Sequence, residues 1–288
     1  MPPAGLPRNS VSWKVNTTCN YRCSYCLQPD FDEGYPEDIS ETVACISRTL
    51  GQPYEIKIAG GEVVANRKKA LELATAIASH GHWLSICTNF WAPLDVYQGI
   101  VERMEGRFYH IQASLHLEYQ EPEAFLRKCL AMRRSLPKEA KIVVNNVIPN
   151  DADKIRWLAE IKSRFESEGL CFYTDLLVDT KGRYQPYTPE NRALISGLLG
   201  EEERLFESYG MRCRAGHSYF VLLPNLDAWS CWDSYLRNER RFFLGNMRDP
   251  DFALRSGPVV CPFDTCSCPT PLIKHRFKLD EAVPASLT

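Results

Sequence analysis

Cys19, Cys23 and Cys26 set three thiols within eight residues, in the run Cys19-Asn20-Tyr21-Arg22-Cys23-Ser24-Tyr25-Cys26, just after a strand-like stretch from Val11 to Asn16. Three soft ligands on one short loop suit three irons of a [4Fe–4S] cube, and a fourth iron without a protein ligand is open to a small molecule. An open iron implies chemistry rather than electron storage alone. The alternative is a zinc knuckle, but closed structural zinc sites take four ligands, usually in paired short spacings, and no fourth ligand follows closely in sequence.

A second set, Cys213, Cys231, Cys261, Cys266 and Cys268, crowds the last third of the chain, with a hairpin-like stretch from Ser218 to Trp232 turning at Pro224-Asn225. Four of these five thiols could close a second [4Fe–4S] cluster, or a four-cysteine zinc site. One is then left over. Cys45, Cys87, Cys129 and Cys171 are spread singly through apparent helices and strands, where a thiol is expected to pack as a small buried apolar group.

Positioning such loops requires a scaffold, and strand-like segments recur at Ser12–Asn16, Tyr54–Ala59, Trp83–Cys87, Phe108–Leu115, Lys141–Val147 and Leu170–Leu177. Helical patterns lie between them: Asn66 can cap one that Gly81 stops, and Asp151 can start another. This alternation predicts an α/β fold with a parallel sheet covered by helices. Six β-α units are too few for a complete eight-stranded barrel. Ligands gather at strand C-terminal ends in such folds, and each candidate segment follows or closes a strand. After Gly182 the pattern is broken by Pro186 and Pro189, with a helix expected from Thr188-Pro189. Residues 1–182 are thus expected as the core, 183–276 as a cysteine-rich C-terminal domain and 277–288 as a polar tail.

The spacing Cys-x3-Cys-x2-Cys after a first strand resembles the signature of the radical S-adenosylmethionine (SAM) superfamily, and further segments extend the resemblance. Gly60-Gly61-Glu62 follows the second strand, Thr88-Asn89-Phe90 the third, with Phe90 where relatives often have Gly, and Ala113-Ser114-Leu115-His116 closes the fourth. Pro224 to Cys231 and Leu244-Gly245-Asn246 resemble the twitch extension, a shortened SPASM domain, with Leu226 where relatives have Gly. The resemblance implies an open six-stranded, TIM-like partial (βα)6 barrel with a small twitch-like domain of a β-hairpin plus helix. It implies a SAM-binding [4Fe–4S] cluster on Cys19, Cys23 and Cys26, and an auxiliary cluster on Cys213, Cys231 and two of Cys261, Cys266 and Cys268. Tyr25 is expected near the adenine. Gly60 and Gly61 are expected to let the backbone approach SAM, with the Glu62 carboxylate receiving its ammonium group and Thr88, Asn89, Ser114 and His116 nearby.

The implied activity is reductive cleavage of SAM to a 5′-deoxyadenosyl radical that removes a hydrogen atom from a C–H bond, with electrons from an external donor such as flavodoxin or ferredoxin. Dehydrogenation or cross-linking follows if an auxiliary cluster takes the second electron. Epimerisation follows if a thiol, the spare member of Cys261, Cys266 and Cys268, returns a hydrogen atom. With about ten residues before the first strand, no leader-peptide-binding domain is expected, which favours a small polar aminocyclitol- or aminosugar-like substrate over maturation of a ribosomally made peptide. Asp175, Asp179 and Asp233 could seat such a substrate, but each reads first as a solvated loop residue. A metal-stabilised binding module and a pure electron carrier are the competing classes, and neither needs the Gly-Gly-Glu segment.

Composition narrows the partners. A net charge of −2 with both signs interspersed offers no basic face for nucleic acid and no polybasic anchor. No apolar run reaches the length of a membrane span, and Met1-Pro2-Pro3-Ala4-Gly5 lacks the regions of a signal peptide, so a cytoplasmic protein is expected.

Overall fold

Six strands and six helices alternate along most of the chain, and a small β-rich segment follows. The computed structural model of this protein describes residues 7, 9–28, 34–199, 208–266 and 276–277. The first six strands are β1 (Ser10–Asn16), β2 (Glu55–Gly60), β3 (Trp83–Thr88), β4 (Phe108–Ser114), β5 (Lys141–Val147) and β6 (Cys171–Asp175). Between and after them run α1 (Ile39–Leu50), α2 (Arg67–Ser79), α3 (Leu94–Arg103), α4 (Pro122–Ser135), α5 (Ala152–Ser167) and α6 (Pro189–Leu199). All neighbouring pairs from β1 to β6 are parallel, so the expected partial (βα)6 barrel is the observed fold.

Local chemistry sets the helix ends. The Asn66 side chain accepts from Lys69 N–H and that of Asp151 from Lys154 N–H, while Thr188 Oγ1 accepts from Asn191 N–H at the Pro189 start of α6. Gly81, at φ 75°, turns the chain after α2.

Period-two alternation then sorts the strand side chains between two faces. Val11, Trp13, Val15, Ile56, Ile58, Ile86 and Ile111 join one apolar core with Ile46 of α1, Leu73 of α2, Ile100 of α3, Leu126 of α4 and Leu158 of α5. The alternate residues Ser12, Lys14, Lys57, Cys87, Gln112 and Asp175 face a cavity of about 770 Å³ inside the partial barrel.

The C-terminal segment comprises β7 (Arg212–Cys213), β8 (Tyr219–Leu222), β9 (Asp227–Trp229), a short helix α7 (Trp232–Leu236), β10 (Phe243–Asn246), β11 (Val259–Val260) and β12 (Arg276–Phe277). The expected hairpin is β8–β9 and the expected helix is α7. Instead of standing apart, this hairpin prolongs the barrel sheet: β8 pairs in parallel with β1 from Ser10↔Tyr219 to Trp13↔Leu222. The sheet order is therefore β10-β9-β8-β1-β2-β3-β4-β5-β6, and β11-β7-β12 form a second small sheet. Phe277, expected as the first tail residue, pairs with Arg212 in β12. The rest of the expected tail lies outside the described residues.

Candidate functional site

The loop after β1 carries the cysteine triad, and the ends of β2, β3 and β4 hold it. Gly60 and Gly61 lie directly beneath it. A Cβ on Gly61 would stand 2.2 Å from Thr18 O and one on Gly60 2.3 Å from Asn16 O, so no other residue fits without moving the loop. Gly61 N–H donates to Asn16 O at 3.2 Å and Glu62 N–H to Thr18 O at 2.7 Å. The glycines are thus required by contact with the cysteine-bearing loop, a more specific reason than the expected approach to a ligand.

Glu62 is held by the rim itself. Its carboxylate is fully buried and accepts from Val64 N–H at 3.0 Å, Thr88 Oγ1–H at 2.7 Å and Asn89 N–H at 2.7 Å. Burial nonetheless pushes its pKa up to about 7. These donors tie the β2 and β3 ends together through Glu62. Asn89 then reaches the loop through Nδ2, which donates to Asn20 Oδ1 at 2.8 Å.

The segment after β4 grips the loop from the other side. Tyr25 Oη and His116 Nδ1 are hydrogen-bonded at 2.8 Å, and the same nitrogen lies 3.5 Å from Cys23 Sγ. Burial lowers the His116 pKa to about 4, so the imidazole is neutral and can accept. Glu118 accepts from the backbone N–H and the hydroxyl of Ser24, Arg22 N–H donates to Tyr119 Oη at 3.0 Å, and Tyr21 stacks on Tyr119 at 4.4 Å. Gln120 Nε2 donates to Asn89 O at 2.6 Å, joining the two rim segments. The expected site residue Ser114 instead donates to Asn145 Oδ1 at 2.9 Å, inside the sheet. Asn20, Glu118, Tyr119 and Gln120 were not foreseen. Their only sequence signal is position, immediately after or within segments already singled out.

Burial, followed by the charges of Cys26 and Glu118, pushes the Cys23 thiol up to about 11, and burial raises Cys19. The loop therefore favours neutral thiols until a positive charge joins them. Among the described residues no three Cys, His, Asp or Glu side chains are drawn close enough to grip an ion, although Cys19, Cys23 and Cys26 influence one another electrostatically on one loop. The donor set nonetheless fits an iron–sulfur cube: three thiols and no oxygen ligand among them.

Cys213, Cys231, Cys261 and Cys266 line one small cavity with the apolar side chains Phe242, Val259 and Phe263. Cys213 is buried at the end of β7. Cys231 caps α7, its Sγ accepting from Ser234 N–H at 3.4 Å while its own N–H donates to Ser234 Oγ at 3.1 Å. By residue type the four thiols suit a four-cysteine metal site, although no three of them are drawn close enough to grip an ion. Cys268 lies outside the described residues. Cys261 and Cys266 line this enclosure and are not among the residues lining the barrel cavity.

Other expectations need correction. Cys171 is exposed, and Cys87 faces the barrel cavity with Sγ 3.5 Å from Gln112 Oε1; of the four scattered thiols, Cys129 is the fully buried one, and Cys45 is half-buried. Period-two alternation turns Cys87 inward, where polar residues collect. Asp175 is no solvated loop residue: it closes β6, accepts from Asn145 Nδ2 at 3.2 Å, and burial pushes its pKa up to about 6. Asp233 is likewise buried, packed beside Cys231. Asp179 does lie in an exposed turn, paired with Arg183.

The large cavity runs between the two cysteine sites. Tyr25, Cys26, Gln28 and Gly60 line it at the triad end, and Trp229, Trp232 and Tyr235 at the other. Trp232 follows Cys231 directly and donates through Nε1 to Ser12 Oγ on β1 at 3.1 Å.

A partial (βα)6 barrel with a three-cysteine loop after its first strand is the architecture of the radical SAM enzymes, and this chain has that fold. Among solved structures it is similar to Streptococcus suis SuiB bound to the precursor peptide SuiA, at a TM-score of 0.56 and 14% identity, over 81% of this chain and 61% of that one. It is also similar to anSMEcpe with bound AdoMet and a Cp18Cys peptide, at a TM-score of 0.59 and 14% identity, over 83% and 77% of the two chains. SuiB has itself been determined with S-adenosylmethionine bound. In sequence the chain is 36% identical over 78 residues to a 7-carboxy-7-deazaguanine synthase of Methanospirillum hungatei JF-1, which covers 27% of this chain and 32% of that enzyme. The chain thus spans about a third of that relative and about three fifths of SuiB. No family model matches it. No helix among the described residues is long and apolar enough to cross a membrane.

Proposed function

We propose that this protein is a radical SAM enzyme that removes a hydrogen atom from a C–H bond of a small polar substrate held in the barrel cavity. One observation carries the reading: the triad loop, locked by Gly61, Asn89 and His116, opens through Tyr25, Cys26 and Gly60 onto that cavity. Cys19, Cys23 and Cys26 would hold the first cluster, and Cys213, Cys231, Cys261 and Cys266 the second. When bound, the first cluster and SAM together supply the 5′-deoxyadenosyl radical, with an electron from a donor such as flavodoxin or ferredoxin.

The protein's own part is orientation and shelter. The barrel strands and the β8–β9 hairpin enclose the cavity, which keeps a reactive species from solvent and fixes which hydrogen it meets. Trp232 and Tyr235 bring the second cysteine site within one residue of the cavity wall. That proximity supports loss of a second electron, hence dehydrogenation, over epimerisation. An aminocyclitol- or aminosugar-like substrate is the first reading among the substrate classes the sequence resemblance implies. Maturation of a peptide is the second reading, favoured by the peptides bound in the SuiB and anSMEcpe structures.

Anaerobic reconstitution should give a brown protein holding about eight irons for two cubes, and reduction with SAM should release 5′-deoxyadenosine. Replacing Cys19, Cys23 and Cys26 together by Ala should remove about four irons and all SAM cleavage. Colourless protein that binds only zinc would refute the reading.

A further inference from the structure

The loop after β3, from Asn89 to Ala92, is bonded along its backbone. Besides the Asn89 N–H bond to Glu62 and the Gln120 bond to Asn89 O, Phe90 N–H donates to Thr88 Oγ1 at 3.0 Å and Trp91 N–H to Asn89 Oδ1 at 3.2 Å. Lys128, midway along α4, completes the set. Its ammonium donates to Phe90 O at 2.6 Å and to Ala92 O at 2.5 Å. It also lies 4.9 Å from the centre of the Phe90 ring and 5.8 Å from that of Tyr97.

Lys128 is half-buried, and an ammonium drawn partly out of water is held by such charge-assisted bonds and ring faces and fixes whatever supplies them. In an extended strand two carbonyls two residues apart stand roughly 7 Å from each other, too far to share one ammonium. Phe90, at φ 56°, bends the chain and brings both within reach. Thr88 and Asn89 are bonded to the buried Glu62 carboxylate, which also acts on Lys128 electrostatically, so opposite charges grip the two parts of the loop. Asn89 carries that grip onward, because its Nδ2 donates to Asn20 in the cysteine loop.

We propose that Lys128 is a positioning residue for SAM: by fixing Phe90 O and Ala92 O it holds Asn89 against the cysteine loop, so that the rim is formed before SAM arrives. This rests on the rim being the SAM site of the proposed enzyme. Lys128 acts through Asn89, and its loss is felt as weaker SAM binding, since a rim that must be ordered by its ligand spends part of the binding free energy on that ordering.

Equilibrium dialysis of SAM with the iron-loaded full chain tests it, alongside 5′-deoxyadenosine release under dithionite. Lys128→Met should weaken SAM binding and raise its KM about tenfold, with iron content unchanged and kcat within about twofold. Lys128→Arg, whose guanidinium can donate to both carbonyls, should restore most of the affinity. Asn89→Ala should also weaken SAM, and the double variant should bind it no worse than the weaker single one, because both changes release the same loop. Unchanged SAM affinity in folded Lys128→Met, additive losses in the double variant, or a fall in kcat alone would overturn the proposal. If Lys128→Met unfolds, Lys128→Gln takes its place, and loss of the fold in both makes the residue structural and overturns the proposal as well. The unmodified chain judges the radical reading separately. If it neither binds nor cleaves SAM, reading and proposal fall together; if it does both and the Lys128 variants match it, the proposal falls alone.

Discussion

Two residues at which the sequence resemblance leads one to expect glycine stand in the left-handed region: Phe90 at φ 56° and Leu226 at φ 68°. Such a conformation costs a side-chain-bearing residue about 1–2 kcal/mol. Both side chains are fully buried, and Phe90 packs 4.6 Å from Tyr97 and 4.9 Å from the Lys128 ammonium, so packing offsets the strain. Phe90→Gly should therefore destabilise the protein by about 2 kcal/mol, because a Phe truncation costs about 3–5 and the strain returns only part of it. Denaturant unfolding checks the sign; a stabilised variant would mean strain dominates. Asp175 supplies a pH dependence. Burial holds its pKa near 6 in the folded chain, above the unfolded value of about 3.9, so the native state keeps a proton that the unfolded chain releases between about pH 4 and 6. This contribution to stability is present below pH 4 and fades as pH rises through 6. Asp175→Asn should gain on the wild type across that window, by up to ~3 kcal/mol, and level off above it. A difference that stays constant from pH 4 to 7 would mean that the carboxyl does not titrate there. The departures at Phe90 and Leu226 were visible in sequence as residue types; their φ values were not, because αL geometry is imposed by the strand ends around them.

At the scale of elements, the parallel strands were legible because each is a short apolar-rich run bounded by caps and turns, and Lys141–Val147 has the bounds expected for it. The convergence of strand ends on one rim followed from fold class. What binds the cysteine loop did not, since Ser24 and Glu118 are 94 residues apart and meet only once the barrel curves. The same holds for Lys57, Gln112 and Asp175, whose inward direction depends on register, and a shift of one residue would turn them outward. Gly61→Ala isolates the strand-to-loop contact. It should displace the cysteine loop, cutting bound iron by about half and abolishing SAM cleavage, while Gly34→Ala, with nothing within 4 Å of its Cβ, should alter neither. Full iron content in Gly61→Ala would show that the loop tolerates the added methyl group.

Across the whole molecule, the triad loop, the cavity and Cys231 lie along the nine-stranded sheet, while Cys213 sits in the small second sheet. Cys213→Ala combined with Cys231→Ala should leave about four of eight irons and retain SAM cleavage without substrate while losing product formation. Iron analysis and 5′-deoxyadenosine release distinguish this from global misfolding. Retained product formation would separate the second site from the reaction. The later cysteines were legible as a crowded set, yet their partition was not, since Cys213 and Cys261 meet through the small β11-β7-β12 sheet, whose strands are only two residues long.

The pairing of β8 with β1 has a consequence for biosynthesis. The strand that leads into the cysteine triad has one neighbour, β2, available soon after it leaves the ribosome, but its other neighbour arrives only when Leu222 has emerged. Until then β1 is an open edge, with unsatisfied backbone groups beside the loop that must gather iron. Chains released after residue 182 should accordingly aggregate where the full chain stays monodisperse, a difference that light scattering measures.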